Sequence, residues 1–159
     1  MICKFANEND IAGVTQLRIE YLRETYGGLK PSDESKIRES NIIYLKNALN
    51  RSCFIAFAEE NRRIYSCAYL TIIEKAANLR YMSGQYGELY GVFTIPEYRN
   101  RGTATKLVKL LVAKGQELQL PFIQLDASSS GYKLYKNIGF QDTESDYVGM
   151  KYFYNNASQ

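Results

Sequence analysis

The sequence contains no histidine, and this absence excludes more chemistry than any other feature of its composition. Without imidazole there is no Ser-His or Cys-His nucleophilic pair, no histidine acid–base catalyst and no histidine ligand for zinc. Any catalysis by this chain must therefore depend on carboxylates, tyrosines, backbone groups or a bound cofactor.

Cysteine is scarce and long apolar runs are missing. Cys3, Cys53 and Cys67 are odd in number, lack C-x-x-C spacing and lie in apolar surroundings, so we expect reduced thiols rather than disulfides. No apolar run approaches the roughly 18 residues of a membrane span, and the first ten residues lack the pattern of a signal peptide. We therefore expect a cytoplasmic protein with no membrane partner.

The size and the charge of the chain limit its architecture and its partners. Its 159 residues, 45% of them hydrophobic, predict one domain over residues 1–154, followed by a C-terminal tail at residues 155–159. The formal net charge of +3 is too small for a dedicated nucleic-acid-binding protein, so we expect no nucleic-acid partner.

Hydrophobic periodicity predicts the element order βα, α, ββ, β, α, β, α, β. The predicted strands lie at residues 2–5, 53–58, 64–73, 86–95, 121–126 and 147–154, and the predicted helices at residues 11–27, 32–49, 102–118 and 130–139. Ser32 is the expected N-cap of the second helix. Antiparallel strands followed by a β-α-β crossover predict an α/β (α+β) protein. Its mixed sheet, with parallel and antiparallel pairs, would be covered by helices.

The segment "YRNRGTA", residues 98–104, lies between a predicted strand and a predicted helix. A helix N-terminus exposes unpaired N–H groups and carries a partial positive charge, and Arg99 and Arg101 add two cations suited to phosphate oxygens. Gly102 leaves the backbone open to a bulky anion. These features favour a pyrophosphate site; the alternative is a solvated turn, and neither a Walker A loop nor a G-x-G-x-x-G fingerprint is present.

The longer segment "VFTIPEYRNRGTATKLV" resembles the acetyl-CoA-binding motif of the GCN5-related N-acetyltransferase (GNAT) superfamily. The signature Arg/Gln-x-x-Gly-x-Gly/Ala is matched by residues 99–104, with Ala104 where many members have glycine. The lead-in Pro-Glu-Tyr-Arg is present, and "KLYKNIGF", residues 133–140, resembles the family's C-terminal Leu-Tyr-x-x-x-Gly-Phe block. The element order is also that of the family, so the resemblance covers nearly the whole chain.

The resemblance implies the GNAT fold and a bound co-substrate, acetyl-CoA, without a metal. In that fold a central, mostly antiparallel sheet has helices on both faces, and its fourth strand splays from a parallel fifth strand to admit the pantetheine arm. Backbone amides of the signature loop would hold the pyrophosphate, and the Val92 amide would face the thioester carbonyl. The implied acetyl-CoA-binding residues are Val92, Phe93, Thr94, Arg99, Asn100, Arg101, Gly102, Thr103, Ala104 and Thr105.

The resemblance further implies direct transfer of the acetyl group to a primary amine of a small molecule or peptide. Tyr135, in the Leu-Tyr-x-x-x-Gly-Phe block, is the candidate acid for the departing thiolate; alternatively it only packs, and Tyr132 is a weaker candidate on the same helix face. Glu88 is the candidate base, and the period of two predicts that it shares a strand face with Tyr90 and Val92. Its alternatives are a solvated residue and proton removal through water.

The acceptor and the assembly are less constrained by the sequence. A predicted loop at residues 23–35 contains Glu24, Asp33 and Glu34, which together with Glu88 either attract a cationic amine or are merely solvated. The resemblance allows a homodimer, because family members are often dimers. The rival functions are a non-catalytic acyl-CoA-binding regulatory module and, more weakly, a nucleic-acid- or partner-binding domain.

Overall fold

The computed structural model describes residues 2–144 and 148–154. Their strands and helices, in chain order, are β1 (Ile2–Phe5), α1 (Ile11–Tyr26), α2 (Pro31–Ala48), β2 (Cys53–Glu60), β3 (Arg63–Glu74), β4 (Gln85–Thr94), α3 (Thr103–Glu117), β5 (Ile123–Gln124) and α4 (Tyr132–Ile138). Single turns of 3₁₀ helix precede α1, at Glu8–Asp10, and follow β4, at Pro96–Tyr98.

The strands form one sheet in the order β1-β2-β3-β4-β5. The first three pairings are antiparallel, whereas β4 and β5 are parallel and pair at only two positions, Gly87 with Ile123 and Glu88 with Gln124. Beyond Glu88, β4 therefore has no neighbour in β5 and the two strands diverge. The predicted fold class, a mixed sheet with a splayed parallel pair, is confirmed.

Helices cover both faces of this sheet, as the contacts of two successive β3 residues demonstrate. The Tyr69 hydroxyl donates to the Val14 carbonyl of α1 at 3.3 Å, so Tyr69 points toward α1. Leu70 points the other way, against Gly87, on the face where Leu120 packs beside Gly115 of α3. The hydrophobic core lies on both sides of β2 and β3, most of whose central residues are fully buried.

The connection between α1 and α2 is shorter than predicted. α1 continues to Tyr26 and ends at Gly27, whose φ of +69° provides the left-handed C-cap. α2 begins at Pro31 with Lys30 as its N-cap, because proline suits the first turn of a helix, so the prediction of Ser32 as the cap was wrong. The predicted loop at residues 23–35 was also wrong, since only residues 27–30 separate the helices.

The predicted sixth strand is not confirmed. Residues 148–154 form no strand, while Tyr147 lies outside the described residues. No described strand pairs with this segment, and the side chains of Val148, Met150 and Tyr152 are largely exposed. Its β-rich composition was therefore insufficient, because a strand also needs a hydrogen-bonded neighbour. The predicted tail at residues 155–159 also lies outside the described residues, and the domain span 1–154 stays a prediction.

The three cysteines are unpaired, as predicted; Cys53 and Cys67 are buried and Cys3 is half-buried. In the described part of the chain, no helix has the length and the apolar character needed to cross a membrane.

Candidate active site

The splay between β4 and β5 begins next to a bulge in β4. Tyr69 of β3 pairs with Tyr90 and Cys67 pairs with Phe93, so two β4 residues, Gly91 and Val92, stand opposite one β3 residue. Gly91 has a φ of +59°, which favours glycine. The bulge places Tyr90 and Phe93 on the same face: their rings contact the Arg18 and Tyr21 side chains of α1 respectively.

This bulge corrects the prediction that Glu88, Tyr90 and Val92 share one face. Alternation holds from Glu88 to Tyr90, but the extra residue at Gly91 shifts the pattern, so that Phe93 rather than Val92 faces α1. Val92 is half-buried against the core. Its backbone still borders the region that β5 leaves open.

The signature loop leads into an uncapped helix. Asn100 and Gly102 both have left-handed backbone angles, with φ of +60° and +72°. No side-chain hydrogen bond from the N-cap closes the N-terminus of α3. Among the described residues other than Gly102 and its two chain neighbours, no atom lies within 4 Å of the position that a Cβ on Gly102 would take. A helix N-terminus with open space in front of it is chemically suited to a phosphate group, and the binding of acetyl-CoA by this loop stays a prediction.

The two arginines of this loop differ in their contacts. Arg99 donates from Nε to the Thr94 carbonyl at 2.8 Å and from Nη2 to both carboxylate oxygens of Glu24 at 2.7 Å. Arg101 donates from Nη2 to the Glu97 carbonyl at 2.9 Å and stacks over the Tyr98 ring at 4.8 Å. Arg99 therefore ties the loop to the end of α1, while Arg101 keeps more of its donors for a ligand.

The end of β4 presents backbone rather than side chains. The Phe93 side chain is buried against Tyr21, with ring centroids 5.5 Å apart, and its carbonyl accepts from the Ser66 hydroxyl at 3.1 Å. The Thr94 hydroxyl is 2.7 Å from that of Ser66. Both side chains are thus engaged within the protein, so any contact of this segment with a ligand is made by backbone atoms.

Tyr135 and Tyr132, the two candidate acids on α4, have different partners. The Tyr132 hydroxyl donates to both carboxylate oxygens of Asp142, at 2.9 Å each, and this hydrogen bond raises the pKa of Tyr132. The Tyr135 hydroxyl has no hydrogen-bond partner among residues 2–144 and 148–154, and its ring packs against Phe140. Burial, with a smaller contribution from the nearby Tyr21 phenol, raises the pKa of Tyr135. Tyr135 therefore retains a proton and keeps its hydroxyl available.

Glu88 and Tyr135 line the same cleft. This open cleft, about 1110 Å³ in volume, runs along the outer side of β5 between α3 and α4. Glu88 is half-buried, and within the described ranges it forms no hydrogen bond or ion pair. The structure thus places the candidate base and the candidate acid beside one cavity. No group of three or more metal-ligating side chains is found in the same described ranges.

Ion pairs within the protein weaken the attraction that the carboxylates of Glu24 and Glu34 could exert on a cationic amine. Glu24 is paired with Arg99, and Glu34 is paired with both Arg23 and Arg38. The two guanidinium groups hold the pKa of the Glu34 carboxyl below its ordinary value. These carboxylates are balanced by the protein's own cations, so they add little net negative charge to an acceptor site.

Sequence reasoning named Tyr90 but missed the other groups that the fold assembles around it on the α1 side of the bulge. Arg18, Tyr69, Thr71 and Tyr90 meet there, with Thr71 Oγ1 donating to the Tyr90 hydroxyl at 3.2 Å. The signals were a glycine inside the strand pattern "ELYGVFT", which is typical of a bulge, and a single arginine within the apolar face of α1.

Comparison with known proteins identifies the fold. The model of the acetyltransferase (GNAT) family matches residues 7–140. A predicted acetyltransferase from Clostridium acetobutylicum, solved with acetyl-CoA, is 28% identical, with a TM-score of 0.80 over 94% of this chain and 95% of that one. No curated protein matches the sequence.

Two more distant structures agree in fold. A GCN5-related N-acetyltransferase from Ralstonia eutropha JMP134 is 21% identical, with a TM-score of 0.73 over 94% of this chain and 97% of that one. An aminoglycoside antibiotic 6'-N-acetyltransferase from Acinetobacter haemolyticus is 18% identical, with a TM-score of 0.66 over 96% and 99% of the two chains.

Proposed function

Because the chain belongs to the acetyltransferase (GNAT) family, we propose that it transfers an acetyl group directly from acetyl-CoA to a primary amine of a small molecule or peptide. The observation that carries this proposal is the divergence of β4 from β5 after Glu88, beside the uncapped N-terminus of α3. The gap is bordered by a backbone that has lost its strand neighbour. It is therefore suited to an extended polar ligand that forms strand-like hydrogen bonds.

The donor site is made mainly of main-chain groups. The amides of residues 101–105 hold the pyrophosphate, since Gly102 leaves their approach open and the α3 dipole favours an anion. Arg101 supplies the nearest guanidinium, and Arg99 with Asn100 shapes the entrance. Backbone groups of residues 92–94 hold the pantetheine arm. The Thr94 carbonyl oxygen accepts one hydrogen bond from Arg99 and has a second lone pair with which to accept another from the ligand.

The thioester supplies an activated acetyl group, and the protein manages two protons. The Val92 amide donates to the thioester carbonyl oxygen, where negative charge develops during attack. Glu88 accepts a proton from the amine, directly or through water, because only a neutral amine is nucleophilic. Tyr135 donates its phenolic proton to the departing sulfur, and its raised pKa ensures that the proton is present at neutral pH.

We also infer a cytoplasmic location. The three unpaired cysteines support it, because thiols remain reduced in that compartment.

A thiol-release assay tests the proposed function. Purified protein is mixed with acetyl-CoA and a panel of amino acids, polyamines, aminoglycosides and peptides, and the liberated CoA thiol is measured. At least one amine should give release together with an acetylated product seen by mass spectrometry. Tight binding of CoA with no release for any amine would instead favour a non-catalytic acyl-CoA-binding module.

A further inference from the structure

Arg18 of α1 is enclosed by tyrosine rings. Its guanidinium carbon lies 5.0 Å from the ring centroid of Tyr21, 5.8 Å from that of Tyr90 and 5.9 Å from that of Tyr69. The side chain is half-buried. Cation–π contacts of this kind stabilise a guanidinium, but they leave its N–H donors without an acceptor.

Arg18 has no carboxylate partner in the part of the chain that the structure describes. Within residues 2–144 and 148–154 it forms no ion pair and no hydrogen bond, whereas Arg23 and Arg99, the next arginine of α1 and the arginine of the donor loop, are both paired with glutamates. A charged side chain that is partly removed from water is usually paired. Arg23 and Arg99 are thus paired with the protein's own carboxylates, whereas the N–H donors of Arg18 remain available to a ligand.

Arg18 also lies at the position where the reacting groups should meet. A Cβ on Gly91 would be 3.0 Å from Arg18 Nη1, so the guanidinium rests against β4 at the bulge. The next residue is Val92, whose amide is assigned above to the thioester carbonyl. The absence of a side chain at Gly91 leaves the space that Arg18 occupies.

The surroundings of Arg18 are fixed by hydrogen bonds. The Tyr69 hydroxyl donates to the Val14 carbonyl, and the Tyr90 hydroxyl accepts from Thr71. These bonds hold two of the three rings in place, so the orientation of the guanidinium is set before a ligand arrives. Preorganisation of this kind reduces the entropy lost on binding.

We propose that Arg18 binds a carboxylate of the amine acceptor, and that the acceptor is an amino acid or a similar small amine with an acid group near its nitrogen. This inference rests on the proposed function of the same site. A guanidinium binds a carboxylate through two parallel N–H···O bonds, which would fix the position of the amine relative to the thioester. The ion pairs of Glu24 and Glu34 agree with it, because they remove the negative charge that a polycationic acceptor would need.

Matched substrates test this proposal by thiol release. The acceptors are free amino acids, the corresponding amino acid amides and the corresponding decarboxylated amines, each with wild-type protein, Arg18→Met and Arg18→Lys. Wild type should prefer the acids, and Arg18→Met should lower kcat/KM for the acids by about 10- to 100-fold, mostly through KM, because charge-assisted hydrogen bonds are lost. Its kcat/KM for the amides should change by less than about threefold. Arg18→Lys should retain part of the preference.

Controls separate recognition from packing. Arg51→Met removes an exposed arginine in the turn that follows α2 and should leave kcat/KM for all three acceptor classes unchanged. The melting temperature and the acetyl-CoA dissociation constant are measured for each variant. An equal loss by Arg18→Met for acids, amides and amines would assign Arg18 to packing and overturn the proposal, as would a wild-type preference for the uncharged acceptors.

Binding of products distinguishes this proposal from the proposed function. Calorimetry with the CoA-loaded protein compares N-acetyl amino acids with their amides. If no acceptor is turned over, the proposed function fails, but tighter binding of the acids that disappears in Arg18→Met would still establish the carboxylate site. Equal binding of acids and amides by wild type would overturn it regardless of turnover.

Discussion

The proposed donor side and the proposed acceptor side of the site are built differently. The donor side is one continuous segment, residues 92–105, which presents main-chain groups of a splayed strand and of a helix N-terminus. The acceptor side is assembled from side chains of α1, β3 and β4 that are distant in sequence, chiefly Arg18, Tyr69 and Tyr90. The donor side therefore depends on backbone geometry, whereas the acceptor side depends on which side chains the fold brings together.

This difference explains why one side can be shared by a family and the other can vary. Backbone amides are present whatever the side chains are, so a site made from them imposes few sequence requirements beyond glycine at a position such as Gly102. An arginine within an aromatic cage depends on single residues in three elements. We expect a change at any one of them to alter acceptor recognition without altering the binding of acetyl-CoA.

The largest expected effect comes from Tyr135→Phe, which changes neither binding side but removes the proton donor of the cleft. We expect kcat to fall by about 10²- to 10⁴-fold, the usual contribution of a general acid, while the acetyl-CoA dissociation constant changes little. Stopped-flow thiol release and calorimetry measure the two quantities. Tyr132→Phe is the matched control, because its hydroxyl is bonded to Asp142. Wild-type turnover by Tyr135→Phe would exclude Tyr135 as the acid.

Reversing charge on the donor side should impair donor binding alone. Arg101→Glu should weaken acetyl-CoA binding by about 10- to 100-fold, since it replaces an attraction to phosphate by a repulsion. Arg99→Gln should have a smaller effect on binding, because two of its donor atoms already serve Thr94 and Glu24. Glu24→Gln isolates the contribution of that ion pair. If Arg99→Gln weakens acetyl-CoA binding more than Arg101→Glu, then Arg99 leaves Glu24 to bind the phosphate. In that case Arg99, and not Arg101, supplies the main guanidinium contact.

The strand and the helix that carry the proposed donor side could be predicted from the sequence because their information is local. The strand, the turn with Gly102 and the amphipathic helix follow one another, and each has its own pattern. The mixed sheet with its splayed parallel pair of β4 and β5 was predicted through the resemblance, and the structure confirms it. Tyr135 and Glu88 were named from motif positions, and the cleft they share became visible only in three dimensions.

The acceptor side could not be predicted in the same way. The bulge at Gly91 shifts every later residue of β4 to the opposite face, which a strict period of two does not anticipate. Neither sequence alternative for Glu24 and Glu34, attraction of an amine or plain solvation, included their ion pairs, because sequence does not reveal ion pairs between distant elements. The segment at residues 147–154 was predicted to be a strand from its composition, whereas its described part, residues 148–154, forms none, because strand formation depends on a neighbour.

A pair of glycine substitutions compares the two sides directly. Gly91→Ala and Gly102→Ala both place a methyl group on a left-handed backbone, with a strain of about 1–2 kcal/mol. Only the methyl at Gly91 meets neighbours, Arg18 and the Tyr69 ring at 3.0 Å, so Gly91→Ala should lower the free energy of unfolding by about 1 kcal/mol more than Gly102→Ala. Urea unfolding measures this difference.

The same pair separates donor binding from acceptor binding. Gly102→Ala projects its methyl group into the open space of the donor loop and should raise the acetyl-CoA dissociation constant. Gly91→Ala should instead displace Arg18 and raise KM for the acceptor. If both variants affect the same substrate, the two sides of the site are not independent.

The smallest expected effect concerns alkaline stability on the acceptor side, where burial raises the pKa of the Cys67 thiol to about 12 from its ordinary value of 9. Below pH 9 both the folded and the unfolded chain keep this proton. Between pH 9 and pH 12 the unfolded chain releases it first, so the stability that the buried neutral thiol contributes is progressively lost. The melting temperature should therefore fall less steeply over this range in Cys67→Ala than in wild type. Cys3→Ala, with a half-buried thiol, serves as the control, and an identical slope for Cys67→Ala and wild type would show that Cys67 does not contribute to the alkaline loss.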